Sequence, residues 1–295
     1  TLIAGTFFSC QFDQLELQHH VSSALTFLED GKLIDSTASD EYSATPLGRR
    51  ASRLYIDPYT AIMLRDTLTE SKDLSTMGIL HLICHTPDQP ITYLTRSEYD
   101  EYTFFVEDNE DQFLIEPPFD DPDEYGNFLS EVKTARLLEE WISESSERDI
   151  TEGFSVGMGD VHRYVRSAEW LVYSTSEIAR VMNVTHHIPI LYSLRSRLKY
   201  GVQKELLDLV SLRGIGRVRG RMLHSHGLKT RADLYSTPVD EIARIPMIGT
   251  TIAESIKRQL GLDVRASMKD EMMEEDEYDG FSIQTLLEDF EVDND

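Results

Sequence analysis

Apolar positions between residues 14 and 30 (QLELQHHVSSALTFLED) fall at Leu15, Leu17, Val21, Leu25 and Leu28, mostly three or four residues apart. That spacing lines one face of an α-helix and predicts one or two short amphipathic helices stopped at Gly31. Two short runs, 32–34 and 42–45, lie on either side of a polar turn and read as strands, with Pro46 closing the second. A helix followed by a two-stranded wing is the second half of a winged-helix unit, so residues 1–57 are expected to form a partial winged helix that begins inside a domain. From Pro58 to about Tyr200 the pattern is helical, with helices expected at 59–71, 74–84, 97–106, 123–144, 158–182 and 188–200. Proline and acidic breaks such as Thr86-Pro-Asp-Gln-Pro90 and Pro117-Pro118 separate them. Strands and helices do not alternate, which argues against a doubly wound sheet and for a helical bundle over 58–200. Residues 201–262 form a smaller helical unit with two glycine-centred turns, and 263–295 has too few apolar anchors to pack, so an acidic disordered tail is expected. The predicted class is mainly α.

A length of 295 residues suggests two domains or more. The longest apolar runs are only a few residues, too short for a signal peptide or a membrane span, and predict a soluble intracellular chain. The two cysteines, Cys10 and Cys84, cannot build a disulfide framework and fit a reducing compartment, with Cys10 read as a small buried apolar residue. The first residue is Thr1 and not Met, which is expected of a processed chain or of a part of something longer.

The formal charge is −25. As one number it argues against a polyphosphate partner. Its distribution reverses that argument. Residues 97–125 carry twelve acids and no Lys or Arg, and residues 263–295 a further −11. Residues 190–232 hold ten basic residues against Glu205 and Asp208, a charge of +8. Screening over about 8 to 10 Å lets such a stretch act independently of distant acid.

That basic stretch contains Leu212-Arg-Gly-Ile-Gly-Arg-Val-Arg-Gly-Arg-Met-Leu223. A hydrophobic-Gly-Ile-Gly turn opening a helix is the helix-hairpin-helix element. Gly214 and Gly216 let the backbone approach a phosphate, the amides of the following helix donate to it, and Arg217, Arg219 and Arg221 add charge. A related turn at Ile245-Pro-Met-Ile-Gly-Thr-Thr-Ile-Ala-Glu-Ser-Ile256 has no arginine within it and admits either a phosphate contact or close helix packing. Such contacts reach the sugar-phosphate backbone and carry no sequence preference.

The helix at 158–182 carries Arg163, Arg166, Trp170 and Ser174 at spacings of three, four and four, on one stripe. An aromatic ring beside arginines can stack on a base while the cations hold phosphates, yet a tryptophan in a bundle is as readily core, and periodicity leaves both open. His81 and His85 share a helical face but lack both a third ligand and the Glu of a zinc-binding HExxH motif, and are read as packing or surface histidines with no metal. In the tail, Gln284, Leu287 and Phe290 approximate the peptide that plugs a sliding clamp, although Glu291 stands where a second aromatic belongs, and a solvated tail explains them equally. There is no GxxxxGK[ST] loop and no Ser-His-Asp or zinc signature, so no catalytic residues are assigned.

Five separated stretches, Tyr42–Pro58, Leu80–Asp88, Leu129–Ala135, Ala168–Leu171 and Gly214–Arg219, together resemble the C-terminal half of the archaeal Holliday-junction-migration or fork-processing DNA helicases of superfamily two, relatives of human helicase Q. The resemblance runs in order to about Leu262. It implies a parent enzyme with ATP and Mg in two motor domains outside this chain, 3′ to 5′ unwinding of forked or branched DNA in fork repair and recombination, and a cytoplasmic, nucleoid-associated setting. It implies that 58–200 is the ratchet bundle, whose Arg and Trp seven residues apart grip a single strand. Arg163 and Trp170 match that pair. It also implies that the hairpin unit contacts the emerging strand, and that a sliding clamp or single-strand-binding protein is a partner. The rival from another class is a replication scaffold whose bundle and tail bind proteins and whose hairpins are only structural.

Overall fold

Local capping signals set where many of the helices begin. In the computed structural model, which describes residues 5, 6, 9, 11–36 and 41–266, Asp13 opens α1 (Gln14–Asp30) with a capping box shared with Glu16. It is one continuous helix of 17 residues, within the expectation of one or two. Its apolar stripe is only partly covered: α1 has no fully buried residue and Leu15 is 77% exposed. The strands β1 (Ile34–Ser36) and β2 (Tyr42–Ala44) pair antiparallel in the register Ile34↔Ala44. Next comes α2 (Pro46–Leu54), which the pattern reading lacked. Pro46 does not merely close a strand. It occupies the first turn of α2, behind Thr45 as N-cap, where a missing amide costs nothing. Gly48 is obligatory here, because a Cβ would sit 1.9 Å from the Leu33 carbonyl oxygen of the wing.

The bundle follows as α3 (Pro58–Glu70), α4 (Thr76–Cys84), α5 (Tyr99–Asp108), α6 (Pro122–Ile142), α7 (Glu147–Phe154), α8 (Met158–Val181) and α9 (Ile188–Tyr200). Helix α7, unforeseen, is started by the Ser146 side chain accepting from the Asp149 amide. The most apolar helix, α4 (TMGILHLIC), is buried on every side, as an all-round hydrophobic helix must be. The acidic stretch is not loose: Tyr102 and Val106 of α5 pack on Phe128, Leu129 and Val132 of α6. Two cations of α6 hold it, Lys133 with Glu98 at 2.8 Å and Arg136 with Glu101 at 3.2 Å.

The chain divides into two compact units, one ending at Lys204 and one beginning at Glu205. The second contains α10 (Leu207–Val210), α11 (Arg217–Ser225), α12 (Arg231–Ser236), α13 (Val239–Ala243) and α14 (Gly249–Ala266). Helix α14 runs four residues beyond Leu262, past the expected start of the tail. The described residues are mainly α, with one two-stranded sheet.

A titratable cluster joins α4 to α6. His85 Nδ1 donates to Glu131 Oε2 at 2.7 Å, and fully buried His81 lies 3.6 Å from the same oxygen, its ring 4.4 Å from that of Phe128. The hydrogen bond to Glu131 raises the His85 pKa above 6.5 against the opposing effect of burial, whereas burial lowers that of His81. Burial alone would raise Glu131, but the two imidazoles outweigh it and hold the carboxyl below its ordinary range. A proton-resolved histidine titration should place the His85 midpoint above 6.5 and that of His81 below it. Glu131→Gln should lower the His85 midpoint. The contribution of His85 to stability is full below pH 6.5 and is lost as pH rises through its raised folded value; that of His81 is present above 6.5 and lost as pH falls through its depressed one. A His85 midpoint unchanged in the variant would refute the assigned cause.

Candidate nucleic-acid interface

Helix α8 buries Val161, Tyr164, Val165, Ala168, Leu171, Val172 and Ile178 against the bundle. The opposite side of its first half carries the predicted site residues. Arg163 is exposed, 3.5 Å from Asp160, with its guanidinium 5.4 Å from the Tyr164 ring centre. Arg166 is exposed, its Nε donating to the His162 carbonyl at 3.3 Å. Trp170 is half-buried and packs on the core. Part of the side chain thus packs inward and part remains accessible, and burial leaves both readings of this tryptophan open.

Ser174 departs from expectation. It is fully buried, and its Oγ donates to the Trp170 carbonyl at 2.9 Å, so the exposed stripe ends before it. The second half of α8 is covered by neighbouring helices, chiefly α9 and α2. Glu177, seven residues beyond Trp170, is buried between Arg50 of α2 and Arg180, and Arg180 reaches Tyr192 of α9. Arg195 adds a 3.6 Å pair with Glu169 and lies over the Tyr173 ring at 4.8 Å. At the other end, Gln89 Nε2 donates to the Tyr164 carbonyl and Ser167 Oγ to the Asp88 carbonyl, each at 3.2 Å. These side chains fix where Arg163 and Trp170 stand. None was foreseen, although Glu177 continues the seven-residue series from Arg163 through Trp170 and could have been read from it.

In the second unit the two glycine-centred turns are built alike. Leu212 and Ile215 are buried in the first turn, and Ile245 and Ile248 hold the matching places in the second. Gly214 adopts φ +86°, and Met247, at the equivalent position, is forced to φ +67°. A side chain at Gly214 or Gly216 would meet no protein atom within 4 Å, so the space in front of this turn is open. Gly216 caps α11 without any side-chain hydrogen bond, which leaves the first-turn amides of that helix facing outward with the positive end of its dipole.

The three arginines differ in their contacts. Arg219 Nη1 donates to the Gly214 carbonyl at 2.8 Å and its Nε to that of Met247 at 3.2 Å, tying the two turns together. Arg221 pairs with Glu205 at 2.9 Å. Arg217 stands at the first residue of α11, partly exposed. Gln259 of α14 clamps the first turn by accepting from the Arg213 amide at 2.8 Å and donating to its carbonyl at 3.1 Å. Cys10, Gln284, Leu287 and Phe290 lie outside the described residues. His81 and His85, read as packing or surface histidines, share the Glu131 carboxylate, and among the described residues no group of three such side chains is placed to hold a metal. No helix among those residues is long and apolar enough to cross a membrane.

Residues 77–201 match the family model described as archaeal helicase, domain 4, and residues 206–262 match a SAM-like helix-hairpin-helix tandem. The chain is 37% identical over 267 residues to the ATP-dependent DNA helicase Hel308 of Methanocella arvoryzae, covering 88% of this chain and 35% of that protein. It is 37% identical over 272 residues to the Hel308 of Pyrococcus horikoshii, covering 90% and 37%, and 32% identical over 271 residues to that of Thermococcus kodakarensis, covering 91% and 24%. The chain spans little more than a third of the length of the first two relatives.

Met247, 61% exposed, gains little from burial and bears the cost of a left-handed backbone. Met247→Gly should therefore raise the unfolding free energy of this unit by about 1 kcal/mol in a denaturant melt, and Gly214→Ala should lower it by about as much. Equal midpoints for Met247→Gly and the parent would show that the turn is not strained.

Proposed function

We infer that this chain, which carries an archaeal helicase domain 4 and a helix-hairpin-helix tandem and is similar to Hel308 DNA helicases, belongs to the C-terminal, non-motor region of such a helicase, and we propose that it grips single-stranded DNA without sequence preference while a motor outside it moves the strand. The observation that carries this reading is the outward face of α8, where exposed Arg163 and Arg166 precede a half-buried Trp170 on a helix fixed at both ends. Seven residues of helix span about 10.5 Å, which allows the arginines to hold phosphates while the accessible part of the indole stacks on a base. In the hairpin unit, the amides after Gly216 and the Arg217 side chain meet a phosphate at the open turn. Arg219 and Arg221 act behind it, holding the turn in shape.

The parent enzyme, in this reading, is an ATP-dependent 3′ to 5′ helicase acting on forked or branched DNA in replication-fork repair and recombination. Nothing in the sequence fits ATP or its Mg: a phosphate-cradling GxxxxGK[ST] loop is missing, so these belong to the motor segments and no step here runs through them. Contact with a sliding clamp would rest on Gln284, Leu287 and Phe290, and a single-strand-binding protein is the alternative partner.

Fluorescence anisotropy with a labelled oligonucleotide tests the grip. Trp170→Ala should weaken binding by about 1 to 3 kcal/mol. Arg163→Ala should reduce the slope of log affinity against log salt by about 0.7, the value for one lost phosphate contact on a single strand. If both variants keep their helicity and bind as the parent does, α8 is not the gripping element.

A further inference from the structure

Away from the exposed face of α8, an open notch of about 500 Å³ lies where α3, the loop after α4 and α6 meet. Its lining brings together three side chains with an acceptor to offer, Asp57, Gln89 and Glu131, beside the hydroxyls of Tyr59, Thr86 and Tyr93. Gln89, only 4% exposed, donates from Nε2 to the Tyr164 carbonyl and to that of Pro90, each at 3.2 Å. Two carbonyls on the nitrogen fix which way the amide faces, so Oε1 must be the acceptor, and it has no partner in the fold. Glu131 directs its histidine contacts through Oε2, and the Asp57 carboxylate caps α3 through Oδ1 at 2.7 Å. Each keeps a second oxygen for another donor. Two tyrosine rings stand at the rim, Tyr59 at 60% and Tyr93 at 70% exposure, the former backed by Phe27 with ring centres 4.9 Å apart. No Lys or Arg lines the notch, and the one histidine in its lining, His85, is already paired with Glu131 at 2.7 Å.

A group that satisfies such a site must be cationic, planar and rich in donors without acceptors of its own. Phosphate is repelled by the two carboxylates. A nucleobase brings acceptors that would face Gln89 and Glu131 unpaired. An ammonium supplies charge but cannot lie flat between aromatic rings. A guanidinium offers five donors, no acceptor and a face that stacks. We propose that this notch receives the arginine side chain of a partner protein, held between Tyr59 and Tyr93 with its donors on Gln89 Oε1, Glu131 and Asp57. Because the same Gln89 amide grips the α8 backbone at Tyr164, the arginine binds one residue away, through the amide, from the helix that carries Trp170.

The test is a titration of the full chain, followed by calorimetry and by amide chemical shifts, with the peptide acetyl-Gly-Arg-Gly-amide and its lysine and citrulline counterparts. The arginine peptide should saturate with shifts around His85 to Tyr93. Citrulline, which keeps the shape and loses the charge, should bind about tenfold more weakly, and lysine should also be weaker. Tyr93→Ala, at an exposed position, should weaken the arginine peptide about fivefold, and Glu131→Gln should weaken it as well. Lack of saturation, equal binding of the three peptides, or an unchanged affinity in Tyr93→Ala would overturn the proposal. So would a loss of oligonucleotide affinity in Tyr93→Ala without arginine binding, which would assign the notch to DNA.

Discussion

The structure depends on α8 keeping one side dry along its whole length while leaving the other wet over only its first half. The inward residues, from Val161 to Ile178, are fixed by burial, each large side chain contributing on the order of 1.5 to 3 kcal/mol. What decides the outward side is how far the neighbouring helices extend. They cover the C-terminal half, and the buried Glu177 carboxylate there is compensated by two arginines, one from α2 and one from α8 itself. Removing either guanidinium would leave a buried charge poorly paired, a cost that keeps this end of the helix in a single arrangement. The exposed half can therefore present Arg163, Arg166 and Trp170 from a fixed base, as a gripping face requires.

In the hairpin unit, a second constraint does the corresponding task by backbone conformation. The turn before α11 must pass through a left-handed residue, and glycine does so at Gly214 without a Cβ penalty, while Met247 does so against one. The two turns are held together not by apolar contact alone but by Arg219, whose guanidinium is shared between their carbonyls. An arginine that its spacing suggests as a phosphate ligand thereby also carries an architectural contact. The turn can offer its amides outward because Arg219 and Gln259 satisfy the carbonyls behind it.

Helix positions were largely legible, since periodicity and caps act over a few residues: α3, α6, α8 and α9 begin and end within about two residues of expectation. The two bundle-side helices that were missed, α2 and α7, carry readable caps at Thr45-Pro46 and Ser146, and the signal was present but subordinate to a strand reading in the first case. The acidic stretch at 97–125 was recognised as a charge anomaly, yet its anchoring through Lys133 and Arg136 could not be seen, because those partners lie on another helix tens of residues away. The same holds for Gln89, whose unpartnered oxygen is a property of what surrounds it.

By itself the sequence determined which residues share a helical face, where the glycine-centred turns lie, and that the net charge of −25 averages two acidic segments with a basic one. These follow from local geometry and from counting. Only the tertiary structure decided that Ser174 points inward, that Trp170 is half-covered, that Arg219 and Arg221 are engaged within their unit, and that His81, His85 and Glu131 meet. The physical reason is common to all four. A repeat of three and four residues orients a side chain about its own helix axis, but exposure and partnership depend on where neighbouring elements end, and these are set by packing between segments far apart in the chain.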